Sequence, residues 1–118
     1  MTNDVNLIGI VEAGIRAEGI RQRAIASNIA NMNAPGYRRC DVRFEEILSK
    51  AMDRSGTVDP ADLEPQVYQP MTTAVNANGN DVSLDGEVGE MVKNALRHRA
   101  YMAILKVKYG QMKQAIQV

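Results

Sequence analysis

With seven Met, four Tyr, one Phe and no Trp in 118 residues, the chain is one domain at most and has little material for an aromatic core. Its formal charge is zero, yet residues 1–52 carry seven basic and six acidic groups, residues 53–90 one and eight, and residues 91–118 six and none. A lone cysteine, Cys40, excludes an intrachain disulfide and a thiolate metal cluster, and no apolar run reaches the about 18 residues of a membrane span.

Residues 4–32 are predicted as a long helix in an N-terminal segment, residues 1–33. Ile8, Val11, Ile15, Ile25, Ile29 and Met32 fit a four-three repeat that Glu18 and Gln22 interrupt. Gly9, Gly14 and Gly19 each weaken a helix by about 1 kcal/mol against Ala and read as permissive positions. Asp4, Glu12 and Arg16 break the apolar pattern and no small-residue cleavage site is present, so a cleaved secretory signal is not expected. By these signs alone the protein reads as cytosolic, unless its export uses a route that reads no cleavable signal.

Ser27-Asn28-Ile29-Ala30-Asn31-Met32-Asn33-Ala34-Pro35-Gly36-Tyr37 ends the helix. Asn33 suits a left-handed C-terminal position, Pro35 forbids continuation, and Pro35-Gly36 fits the centre of a type II turn. The three asparagines are suited to backbone groups that the ending helix frees. The middle segment, residues 34–87, then opens with Asp41 as a candidate N-cap. A short helix follows, with Phe44, Ile47, Leu48, Ala51 and Met52 on one face. Ser55-Gly56 is expected to stop it. Beyond Thr57 the periodicity fades among Pro60, Pro65 and Pro70. Val67 to Val75 reads as a short strand turning at Asn78-Gly79 towards Val82 to Leu84, and an exposed irregular segment fits the same residues.

The most regular feature closes the chain, in residues 88–118. Met91, Ala95, His98, Met102, Leu105, Tyr109, Met112 and Ile116 follow at steps of four and three, a coiled-coil seam with one polar member, His98. Ser83 is the expected N-cap, with Asp85 and Glu87 at the positive end of the helix dipole. A continuous helix from residue 88 is roughly 45 Å long at 1.5 Å per residue and needs a partner helix for its seam. The expected fold is mainly α, with long N- and C-terminal helices pairing as an antiparallel coiled coil around a short helix and an irregular or minor β segment.

Three chemical readings are weak. Asp81-x-Ser83-x-Asp85-Gly86 begins like a calcium loop, but its twelfth place is Val92 where a bidentate Glu is required. Cys40 and His98 lack the surroundings of a nucleophile and base, and His98 lies on the seam, where it suits a helix contact. The basic residues Lys93, Arg97, Arg99 and Lys108 are spread around the last helix, which argues against nucleic-acid binding. The residues thus point to no catalytic, cofactor or metal site and no small-molecule substrate. They leave a soluble helical adaptor binding one partner helix as an alternative reading.

Ser27-Asn28-Ile29-Ala30-Asn31 followed by Ala34-Pro35-Gly36-Tyr37-Arg38 resembles the N-terminal signature of the bacterial flagellar rod, hook and hook-associated axial proteins. Asp41-Val42-Arg43-Phe44, Asn80-Asp81-Val82-Ser83-Leu84-Asp85 and Glu90-Met91 through Tyr101, with the short length, resemble the proximal-rod members. Ala34 departs from the family's usual Thr. The resemblance implies a structural subunit of the periplasmic drive shaft, exported by the flagellar type III apparatus without signal cleavage and without enzymatic activity. Its implied partners are proximal and distal rod subunits, copies of itself, the rod-to-membrane-ring adaptor and the export apparatus. The expected packing residues are Val11, Ile15, Ile25, Ile29, Met91, His98, Met102, Leu105, Tyr109 and Met112. The turn residues are Asn28, Asn31, Pro35, Gly36 and Tyr37.

Overall fold

A computed structural model describes residues 2–54 and 57–117; the predicted stop at Ser55-Gly56 lies outside them. Two long helices dominate, α1 (Thr2–Ala30) and α3 (Leu84–Ile116). Between them come β1 (Asp41–Arg43), α2 (Glu45–Asp53), a 3-10 turn at Pro60–Asp62, and β2 (Gln66–Tyr68). The molecule is elongated, 64 × 28 × 15 Å, because 33 residues of α3 span about 50 Å at 1.5 Å each.

The helices run antiparallel: Asn28 meets Glu87, Glu18 meets Asn94 and Arg97, and Glu12 meets Tyr109. α1 ends at Ala30, earlier than its repeat predicts. The Asn31 amide donates to the Ser27 carbonyl at 2.8 Å, and Met32 N–H bonds Ile29 O, tightening the last turn. Asn33 is not left-handed. The positive φ in this turn belongs to Gly36, +75°, and Tyr37 N–H bonds Ala34 O at 3.3 Å, the predicted type II turn.

The middle segment packs on a second face of α1. Phe44 and Leu63 are fully buried there with Ala13, Ala17 and Val58, and Ile10, Ile47, Leu48 and Ala51 close the cluster. Small residues on α1 permit the approach. A Cβ on Gly9 would lie 2.5 Å from Pro60 Cγ, and one on Gly14 would lie 2.5–2.9 Å from the Tyr101 ring. These two glycines are therefore packing requirements and not merely permissive, while Gly19 faces open space.

Several expectations about this segment change. Asp41 does not cap α2, which begins at Glu45 without a side-chain cap; Asp41 instead lies in β1, its carboxylate accepting from Val42 N–H. β2 pairs antiparallel with β1, Val42 opposite Val67, and not with residues 82–84. Val82 is buried and Leu84 already belongs to α3, so no strand is available there. A turn does form here, but on Ala77-Asn78: Gly79 N–H bonds Asn76 O, and Gly79, at φ +82°, follows the central pair instead of belonging to it. Met52, expected on the buried face of α2, is 61% exposed.

Candidate functional site: an inward polar face and an outward apolar flank

Ser83 caps α3 as expected, its hydroxyl accepting from Gly86 N–H at 3.2 Å. The face that α3 then turns to α1 is not the apolar seam. Glu87 and Asn94 are buried, Arg97 and Tyr101 half-buried, and they recur at the same alternation of threes and fours. Their counterpart is Glu18, which the sequence shows only as an interruption of the α1 repeat. Its carboxylate, 2% exposed, accepts from Arg21 Nη1, Asn94 Nδ2 and Arg97 Nε, each at 2.7 Å. Asn94 Nδ2 also donates to the Glu18 carbonyl at 2.8 Å. Arg21 continues the cluster with a two-pronged pair to Glu45 and a bond to Val42 O.

The charges tune one another. Burial lowers the pKa of the Arg21 guanidinium, but its hydrogen bond to Glu45 and the Glu18 charge outweigh that and raise it. Burial raises that of the Glu45 carboxyl, and the hydrogen bond from Arg21 more than reverses it, holding Glu45 below the usual carboxylate value. Burial, then the Glu45 and Glu18 charges, push the Tyr101 phenol upward.

A second polar cluster clasps the end of α1 to the start of α3. Asn28, fully buried, spans the Cys40 backbone, donating to its carbonyl at 2.9 Å and accepting from its N–H at 2.8 Å. It also accepts from Tyr37 Oη at 3.0 Å and donates to Glu87 at 3.2 Å. Asn80 Nδ2 donates to Asn31 O and Ala34 O, and Gly36 N–H bonds Asn78 O. Asp81 takes Arg38 Nε at 3.0 Å and Arg39 N–H at 2.6 Å. Thus Asn28, Asn31, Gly36 and Tyr37 bond Glu87, Asn80, Asn78 and Asp81 in turn, partners that no local pattern identifies, while Pro35 is exposed. Of the calcium-like residues, Asp81 is engaged by Arg38 and Arg39 and Ser83 by the helix cap.

Of the residues expected to pack, Val11 and Ile25 are buried, and Ile15, Ile29 and Leu105 are half-buried. Met91, His98, Met102, Tyr109 and Met112 are exposed. The seam therefore does not close on α1, because the polar contacts rotate its neighbouring face inward. Instead it flanks a groove where Ile15, Gly19 and Gln22 of α1 face Met91, Ala95 and His98 of α3. Further along, Met102, Ala103, Leu105 and Tyr109 form an almost wholly apolar patch. Cys40 lies half-buried beside the turn, its backbone held by Asn28.

Long terminal helices with an internally satisfied face and an open apolar flank define a helical structural protein. Residues 13–38 match the family described as Flagella basal body rod protein. The chain is 24% identical to the flagellar basal body rod protein FlgB of Bacillus subtilis over 115 residues, covering 90% of this chain and 89% of that protein. It is 27% identical to FlgB of Escherichia coli over 115 residues, 83% and 81% of the two chains. With FlgB of Borreliella burgdorferi the identity is 28% over 97 residues, 67% and 72%. Over most of its length the chain is thus similar to flagellar basal body rod proteins.

Proposed function

We propose that this chain is a structural subunit of the proximal part of the flagellar rod, acting as one rod-protein domain over residues 1–118. Its terminal helices complete coiled-coil packing with those of copies of itself and of other proximal and distal rod subunits. The observation that carries this reading is the outward flank of α3, where Met102, Tyr109 and Met112 are exposed although nothing in their spacing breaks the seam. Its role is mechanical, transmission of torque within the periplasmic shaft. Contacts with the rod-to-membrane-ring adaptor, and export through the flagellar apparatus without signal cleavage, belong to the same reading.

Met102→Asp tests it more cleanly than Leu105→Asp, because Met102 is exposed and Leu105 half-buried. In a strain whose own gene is deleted, the Met102→Asp chain is expected to abolish rod assembly and swimming. The isolated chain should keep its helix content and its stability to within about 0.5 kcal/mol. Normal swimming would overturn the reading and favour an adaptor that uses another surface.

A further inference from the structure

α3 carries two stripes at the same three-four spacing. One is polar, through Glu87, Asn94, Arg97 and Tyr101; the other is apolar, through Met91, Met102, Tyr109 and Met112. At about 100° per residue their mean directions lie roughly 65° apart around the helix. Rolling α3 by that angle would bring Met102 over the Val11–Ile15 turn of α1, the level at which Tyr101 meets Gly14. Burial of apolar area alone favours the rolled arrangement. The observed one turns the polar stripe inward, so something other than apolar area selects it.

The selecting contacts are specific and complete. Glu18 receives Asn94 and Arg97 from α3 and Arg21 from its own helix, each at 2.7 Å. Among the described residues, no buried side-chain nitrogen or oxygen lacks a partner. In a rolled or shifted pairing, Glu18 and Arg21 would stay near the helix interface while Asn94 and Arg97 moved away. Glu18 would then keep only Arg21 of its three partners; breaking buried charged contacts from one side costs several kcal/mol, whereas the intact cluster adds little over well-packed apolar side chains. Such a cluster discriminates between arrangements more than it stabilises one, as a single buried polar layer does in coiled coils.

We propose that Glu18, Asn94 and Arg97 act as a rotation and register selector, which holds α3 against α1 with its apolar stripe outward. The role assigned to that stripe rests on the rod reading; the selection itself is a property of the isolated chain. Replacing all three by Leu removes the selector without stranding a charge, because Arg21 keeps its pair with Glu45 and its bond to Val42 O. The variant should remain helical, and α3 should roll so that its methionines turn inward.

The probe is maleimide labelling of Met102→Cys in a full-length Cys40→Ser chain. Without the selector substitutions, labelling is expected to be fast. With Glu18→Leu, Asn94→Leu and Arg97→Leu added, an inward population of nine-tenths slows it about tenfold, independently of protein concentration. Should the triple variant lack helix, Asn94→Leu alone decides, with a smaller slowing in the same direction. Equal labelling rates, or slowing that appears only as concentration rises, would overturn the selector. Because labelling reads the monomer and swimming of Met102→Asp reads assembly, either idea can fail while the other stands.

Discussion

Where the end of α1 and its turn meet the start of α3, buried polar groups are matched within the chain, down to Asn28 bridging the Cys40 backbone and Asp81 holding Arg38 and Arg39. Along residues 102–116 of α3, by contrast, Met102, Ile104, Val107, Tyr109, Met112 and Ile116 are all exposed. The clasp has fixed geometry before any neighbour arrives. The flank keeps its apolar area exposed, with Tyr109 Oη donating to Glu12 of α1 at its inner edge. A subunit built this way enters an assembly with the angle between its chain ends already set, and gains further burial only from what it joins.

The comparison breaks most easily at the clasp. Asp81→Ala removes the carboxylate partner of Arg38 and of Arg39 N–H from a side chain with no exposure. A loss of about 3–5 kcal/mol is expected, the usual cost of breaking a buried pair from one side. Urea unfolding followed by circular dichroism measures it. A loss near zero would mean that the clasp does not order the turn. Smaller changes are expected at the α1 glycines, and their signs should differ. Gly14→Ala presses a Cβ into the Tyr101 ring and should cost about 1–3 kcal/mol. Gly19→Ala meets nothing and should stabilise by up to about 1 kcal/mol. Equal effects in the same unfolding assay would remove the close approach of α1 to α3 as a constraint.

These positions also show what the sequence discloses and what it hides. The Pro35-Gly36 turn, the Ser83 cap and the two long helices follow from local rules about φ, capping and periodicity, and all three are present. The facing of α3 does not follow from them. Periodicity locates stripes, and burial is ordinarily assigned to the more apolar one; here Glu18 reverses that choice through contacts 76 and 79 residues away in sequence. The signal was visible only as a coincidence. The α1 repeat breaks at an acid, and α3 carries Asn94 and Arg97 at helical spacing beside its seam. Likewise β2 has too little alternation to reveal its pairing with β1, because a three-residue strand is set by its partner more than by itself.

The smallest expected effect concerns pH, at the rim of the polar face. Glu45 is about half exposed, and its bond with Arg21 holds its pKa below the ordinary 4.5. A carboxyl with a lower pKa folded than unfolded binds fewer protons in the folded state, so its contribution is complete above the unfolded value. That contribution is lost as pH falls through the lower, folded value. Glu45→Gln should therefore unfold slightly more easily than the parent at pH 7, and the two chains should converge as the solution is acidified below 4.5. Urea midpoints measured across that range test the sign. A difference that persists unchanged into acid would mean that Glu45 contributes by packing and not by its charge. In that case Glu18 and the α3 contacts, not the exposed pair with Glu45, would be what keeps Arg21 in place.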